Sequence, residues 1–339
     1  KMSWSYTIPA QISWEVDVFG KLTNSKRSAE AAMHQAEDYA QAVRSQIIAG
    51  VANCYYSIAS VKKQLELYRT TSKLWGETVE VMENMKEAGR TTEAAVVQSK
   101  ANYYSILAGI TDLEVSLQKL NSSLSLLLNE KPGEWNVASN ATLKAPAMVM
   151  SATPMSALVC RPDVAAAERG MYTAFDAYSI AKGVFFPALN ITAQRGFTNL
   201  LGGMLKNPGD WMAQLAGAIT APIFSRGQNT ARLEAAKKQQ EQALNTFEST
   251  LLSACKEIED LMVVYTKAES KATYLTQQVA NLEKSVEYTN DLLQYSNGTY
   301  LEVITAMQSL LGAQMSQLSN DLTRTQTIIS LYQAMGGGR

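Results

Sequence analysis

The sequence predicts a mainly α-helical chain with a membrane-type β part, duplicated internally, whose long coiled-coil helices and few strands close only when copies assemble in a ring. Three observations carry this reading. The chain opens on a long two-residue alternation, very long heptad-patterned helical stretches follow, and the landmarks of the first half recur at a near-constant offset in the second.

The alternation comes first. Trp4, Tyr6, Ile8, Ala10, Ile12, Trp14, Val16 and Val18 hold the even positions. Ser5, Thr7, Pro9, Gln11, Ser13, Glu15 and Asp17 lie between them. A strand over 3–19 would therefore have one greasy and one polar face. Its length, its aromatic content and the carboxylates opposite the greasy face favour a barrel strand with a wet interior over a sandwich strand. The lipid-facing set is then Trp4, Tyr6, Ile8, Ile12, Trp14, Val16 and Val18.

After Phe19 and Gly20 the period changes. A helix is predicted over 24–87, free of proline. At 1.5 Å per residue it would be roughly 95 Å long. Its seam runs Val51, Cys54, Ile58, Val61, Leu65, Tyr68, Ser72, Trp75, Val79 and Met82. A break at Ala88-Gly89-Arg90 precedes a second helix over 92–128, whose seam passes Val96, Ser99, Tyr103, Ile106, Leu117 and Leu124. Alternating spacings of three and four sustained over this length indicate left-handed coiled-coil packing.

Residues 129–160 are irregular, with Pro132, Gly133, Pro146 and Pro154, and read as a girdle of short elements. A helix over 162–182 and strands over 184–197 and 211–224 follow, the strands separated by a loop rich in glycine. Two further long helices, 228–296 and 300–335, are divided by Asn297-Gly298-Thr299. The first of them has the seam Phe247, Leu251, Ala254, Ile258, Leu261, Tyr265, Ala268, Ala272, Leu275 and Val279.

Phe19 and Phe224 are 205 residues apart, Gly89 and Gly298 are 209, and Leu126 and Tyr332 are 206. That offset argues for two structural repeats, 1–160 and 161–339. The second repeat carries a helix and a strand before its long hairpin, and the first is expected to carry their counterparts upstream of Lys1. Helices this long need neighbours on two sides, and two to four strands cannot close a barrel of about eight or more. Ring assembly cures both defects.

Composition and motifs point away from other classes. Net charge is −1, from 30 basic and 31 acidic residues, so no basic excess speaks for nucleic acid. Cys54, Cys160 and Cys255 form neither a metal spacing nor a disulfide framework. His34 is the single histidine, which leaves no imidazole pair for a metal and no Ser-His-Asp set for nucleophilic catalysis. No enzyme, cofactor or metal is predicted. Gly89 and Gly298 read as helix C-caps. Glu93 and Glu302, each four residues after its glycine, read either as first-turn carboxylates favoured by the helix dipole or as part of an acidic docking ring.

Several segments resemble the TolC-like outer-membrane efflux proteins, in particular the lipoprotein branch serving resistance-nodulation-division pumps. They are Ile12 to Gly20, Arg161-Pro162-Asp163 with Ala167-Glu168, Phe186 to Leu189, Gly298 to Val303, and Leu331 to Gly338. In order, they cover nearly the whole chain. The resemblance implies a homotrimer with a twelve-stranded barrel in the Gram-negative outer membrane and an α-barrel reaching into the periplasm. It also implies an adaptor protein, an inner-membrane pump and membrane lipid as partners, and small molecules such as drugs or metals as cargo.

The tips at Gly89, Arg90, Glu93, Gly298 and Glu302 would then meet the adaptor. Relatives carry a leucine after the second tip, an acid four residues on and a base three further. Here Leu301 keeps the leucine while Thr305 and Gln308 replace the charged pair, so the expected periplasmic gate is apolar, formed by Leu301 backed by Tyr300. A type I protein-secretion exit, or a coiled-coil scaffold without a pore, are the alternatives to drug or metal efflux.

Overall fold

The computed structural model describes residues 5–138, 158, 160–200, 210–221, 224–295 and 300–337. In chain order these form β1 (Ser5–Val16), α1 (Lys21–Glu87), α2 (Glu93–Leu127), α3 (Pro162–Gly183), β2 (Ala188–Leu200), β3 (Asp210–Thr220), α4 (Gln228–Tyr295) and α5 (Tyr300–Ala334). The fold is mostly helical. Among the described residues no helix is long and apolar enough to cross a membrane. Most of the predicted girdle, residues 139–157 and 159, lies outside the described set, as do Trp4 and Gly298.

The chain packs as two compact units, and each draws on both halves of the sequence. The first holds residues 1–40 and 162–252, the second residues 41–161 and 253–339. The helices of the two halves match in length: α1 has 67 residues and α4 has 68, while α2 and α5 have 35 each.

In the first unit the three strands form one antiparallel sheet in the order β1-β2-β3. The register runs Ala10↔Arg195↔Ala213, Ile12↔Ala193↔Leu215, Trp14↔Ile191↔Gly217 and Val16↔Leu189↔Ile219. Directly opposed residues share a face, so these four rungs form one side of the sheet. The alternate rungs, Gln11↔Gln194↔Gln214, Ser13↔Thr192↔Ala216 and Glu15↔Asn190↔Ala218, form the other.

The strand ends at Val16, earlier than the alternation implies, and Val18 lies in the turn beyond it. Asp17 is the reason. Its carboxylate accepts hydrogen bonds from the Leu22 and Thr23 amides at 3.0 and 2.7 Å and from the Thr23 hydroxyl at 2.6 Å. It thus caps the start of α1 and leaves the ladder. The Thr23 hydroxyl, with the two amides assisting, holds the Asp17 carboxyl below its ordinary range. Lys21 Nζ donates to Glu15 Oε1 at 3.0 Å, and Phe19 stacks on Phe186 with ring centroids 4.7 Å apart. Gln35 Nε2 ties α1 to α3 by donating to the Ala166 carbonyl at 3.0 Å.

In the second unit the heptad seams are the core. Ile58 and Ala59 of α1 and Leu124 of α2 are buried together with Val137, and Tyr265 of α4 is buried with Ile328 and Leu331 of α5. The segment after α2 is tied down by polar contacts. Lys62 Nζ donates to the carbonyls of Trp135 and Val137, each at 3.2 Å, and the Trp135 indole donates to Ser125 Oγ at 2.9 Å. At the other end of the chain Arg161, 8% exposed, donates to the Ala334 carbonyl at 3.0 Å and to Glu257 at 2.7 Å. This ties α5 and α4 to one another through Arg161.

Candidate functional site

Two regions hold the residues singled out in the sequence: the helix ends near Gly89 and Tyr300, and the sheet. At the α1–α2 turn Gly89 adopts φ +71°, a left-handed conformation that side chains resist. Its amide donates to the Lys86 carbonyl at 2.9 Å, and the Arg90 amide donates to Met85 at 2.8 Å, so the last carbonyls of α1 are satisfied. Thr92 caps α2 by accepting from the Ala95 amide. Arg90 and Glu93 are exposed.

The turn is stapled by charge. Lys86 pairs with Glu93, and Lys100 pairs with Glu83 at 2.6 Å. Hydrogen bonding from Lys86, reinforced by its charge, holds the Glu93 carboxyl below its ordinary range, and Glu83 raises Lys100. The sequence reading singled out Glu93 and missed the ladder. The alternation of Glu83 and Lys86 before the turn with Glu93 and Lys100 after it was the available signal.

At the start of α5 the predicted gate residues divide between two faces. Tyr300 and Ile304 lie on the buried side, where Trp75 (1% exposed), Ile106 and Ile304 form a cluster flanked by Tyr68, Tyr103, Tyr300, Met307 and Leu311. Burial pushes the Tyr300 phenol upward. Leu301, Thr305 and Gln308 share the other, exposed face, with Leu301 66% exposed. Spacings of four and three place them in one stripe.

Thr305 turns its hydroxyl back onto the Leu301 carbonyl at 2.8 Å, and Gln308 Nε2 donates to Asn102 Oδ1 of α2 at 2.8 Å. Tyr300 therefore seats the helix while Leu301 projects from it. Trp75 and Asn102 were not legible as members of this region, because Trp75 looks like ordinary heptad filling and Asn102 lies beside the seam, until α5 is laid on α1 and α2. Glu302 is exposed in the first turn of α5.

On the sheet, Ile12 and Trp14 are 74% and 61% exposed, and Leu215 and Ile219 of the same face are 77% and 76% exposed. Val16 is half-buried and Val18 is exposed in its turn. Tyr6 and Ile8 belong to the β1 ladder, with side chains outside the described set. On the opposite face Ser13 Oγ and Thr192 Oγ1 lie 3.4 Å apart. A contiguous exposed apolar face on one side of a sheet, backed by glutamine, serine, threonine and asparagine, marks an interaction surface.

Known proteins resemble the chain along most of its length. The cation efflux system protein CusC of Escherichia coli O6:H1 is 26% identical over 331 residues, covering 96% of this chain and 71% of CusC. The probable outer membrane lipoprotein SilC of Salmonella typhimurium is 26% identical over 338 residues, covering 98% and 72%. The solvent efflux pump outer membrane protein SrpC of Pseudomonas putida is 25% identical, covering 98% and 71%.

Among solved structures, the outer membrane protein VceC of Vibrio cholerae superposes with a TM-score of 0.90 at 22% identity, over 99% of this chain and 87% of VceC. A CusC crystal structure gives 0.89 at 24% identity, over 98% and 78%. The model of the outer membrane efflux protein family matches residues 1–130 and 153–337, and the chain belongs to that family.

Proposed function

We propose that this chain is one of three identical protomers of an outer-membrane exit duct, which passively conducts small molecules from the periplasm to the exterior within a tripartite efflux system. The sheet is the observation that carries the reading. One face is exposed and apolar and the other polar, and neither outer edge has a strand partner among the described residues. Unpaired strand edges do not survive in lipid, so such a sheet must close into a barrel. Three strands are too few to do so alone, and pooling strands from several copies supplies the count. A pore-free scaffold has no use for that face.

The names of the relatives speak of cations, solvents and pyoverdine, and this chain is proposed to carry cargo of the same small-molecule kind. A periplasmic adaptor and an inner-membrane pump are its proposed partners. Like SilC, the whole protein would be lipid-anchored. The adaptor contacts are proposed at Gly89, Arg90 and Glu93, with Gly298 and Glu302 at the second tip.

The gate is proposed at the exposed stripe led by Leu301, with Thr305 and Gln308 contributing neutral hydrogen bonds and Tyr300 seating the helix. Repeats 1–160 and 161–339 are proposed to be copies of one plan. In support, α1 and α4 start 207 residues apart, and so do α2 and α5.

The assembly is tested by mass measurement in detergent together with conductance in planar bilayers. A species three times the 37.0 kDa of this chain, forming conducting pores, is the expected result. A stable monomer or dimer, or a trimer without conductance, would refute the reading.

A further inference from the structure

We propose that α4 of one copy of this chain receives α2 of a second copy along a seam left bare in the single chain, with Tyr104 seated beside Leu282 and Asp112 opposite Lys271. The inference rests on the ring assembly above. It adds to that reading the two surfaces that meet and the charges that match them.

Internal duplication carries the argument. Inside the chain α5 runs antiparallel along α1. Gln326 Nε2 donates to Ser57 Oγ at 3.3 Å, and further along Ile304 is buried with Trp75. Shifting each helix to its counterpart 207 residues away turns α1 into α4 and α5 into α2.

Both counterpart surfaces are bare. On the side opposite its seam with α1, α2 carries Val97, Ala101, Tyr104, Ala108, Thr111 and Val115 at alternating spacings of four and three, and all are exposed. Their counterparts on α5 are covered: Ile304 is buried, Leu311, Met315, Leu318 and Leu322 are half-buried, and Gln308 alone is exposed. α4 repeats the contrast. Val264, Lys267, Lys271, Tyr274 and Gln278 are exposed, whereas Ser57, Ser60, Gln64, Leu67 and Thr71 in the same places on α1 are buried or half-buried. A stripe of heptad spacing that is covered in one repeat and bare in the other lacks its partner helix. Contact between two different faces repeats head to tail and closes as a ring.

Shape and charge fit the pairing. Where the first repeat has Trp75, Tyr68, Tyr103 and Ile106 around its aromatic cluster, the second has the smaller Leu282, Leu275, Leu310 and Ala313. The second copy fills that room with Tyr104, which stands in the place of Leu311. Ser57 and Gln326 transpose to Val264 and Lys119, and one heptad further along the antiparallel pair Lys271 comes opposite Asp112. Both are exposed, and neither forms an ion pair with another described residue. Opposite charges flanking a helical seam fix its register and its choice of partner.

The test uses the full protein in detergent, with assembly followed by native mass spectrometry over a dilution series. Asp112→Lys and Lys271→Asp should each raise the concentration at half-assembly by about tenfold or more, since like charges then face one another at every interface. The double variant exchanges the signs and should return to within about threefold of the parent. Glu259→Lys, on another side of α4, should also stay within about threefold. With p-benzoylphenylalanine at position 104, ultraviolet light should join two chains, the link falling on α4 between Leu275 and Leu282.

Unchanged assembly after either charge reversal, no recovery in the double variant, or an equal loss from Glu259→Lys would each overturn the proposal. So would a link from position 104 that stays within one chain or falls outside α4. A parent that remains monomeric would overturn the ring reading as well, whereas a trimer with any of those outcomes keeps the ring and removes only this interface.

Discussion

Exchanging Ile12 for arginine should block membrane insertion, while the same exchange one residue on should be tolerated. Ile12 stands four residues up β1 from Val16, paired in register with Ala193, which in turn pairs with Leu215. At about 3.3 Å per residue and a tilt near 40°, it lies roughly 10 Å above the helix end of the strand, close to the middle of a band about 25 Å tall. Arginine at such a depth on a lipid face costs about 2–4 kcal/mol per chain, or roughly 6–12 kcal/mol for three copies.

The new charge would also sit one rung from Arg195, so repulsion adds to the cost. Ser13 belongs to the opposite face, where its hydroxyl is 3.4 Å from that of Thr192, and an arginine there would reach into water. Folding into lipid vesicles, titrated with urea, reads the difference. Ile12→Arg should lower the per-chain folding equilibrium by about 30-fold to 10³-fold, at about 1.4 kcal/mol per factor of ten. Ser13→Arg should stay within about threefold of the parent. Equal effects of the two substitutions would show that the register is wrong or that this sheet does not face lipid.

Three further outcomes are expected. Leu301→Ala should raise single-channel conductance with little dependence on salt, since screening weakens charge pairs and not apolar contact. Thr305→Ala and Gln308→Ala, which remove neutral hydrogen bonds of about 0.5–1.5 kcal/mol each, should change it far less. A rise for the polar variants alone would place the constriction elsewhere.

Glu93 has a folded-state pKa below its unfolded one, so its pairing with Lys86 stabilises the α1–α2 turn above the unfolded carboxylate pKa. That contribution is lost as pH falls through the depressed value. Amide exchange at the turn should therefore quicken on acidification in the parent and lose that response in Glu93→Gln. Gly336→Ala should lower the melting temperature. Its φ is +78°, and an added Cβ would stand 2.5 Å from the Cys160 carbonyl oxygen. The left-handed conformation alone costs about 1–2 kcal/mol, and the contact adds to it. An unchanged melting temperature would show that this C-terminal segment does not pack as described.

Much of the helical architecture was legible because its signal is local and periodic. Ile58, Leu65, Trp75 and Met82 follow from heptad spacing alone, and all four are among the residues α1 buries. The same holds for Ala254, Ile258, Tyr265, Ala268, Leu275 and Val279 in α4. The apolar set of β1 was legible for a like reason, since a pleated strand turns every second side chain to one side.

What the sequence left open is whatever depends on a partner distant along the chain. The strand stops at Val16 because Asp17 is drawn off to cap α1, a competition that two-residue periodicity cannot register. Tyr300 and Leu301 are adjacent in sequence yet belong to opposite faces of α5, a distinction that appears only once the aromatic cluster with Trp75 occupies one of them. Gln308 gains Asn102 across 206 residues, and Arg195 enters the face of Ile12 through strand register. Periodicity orders each element about its own axis, and only tertiary packing decides which faces and which charges meet.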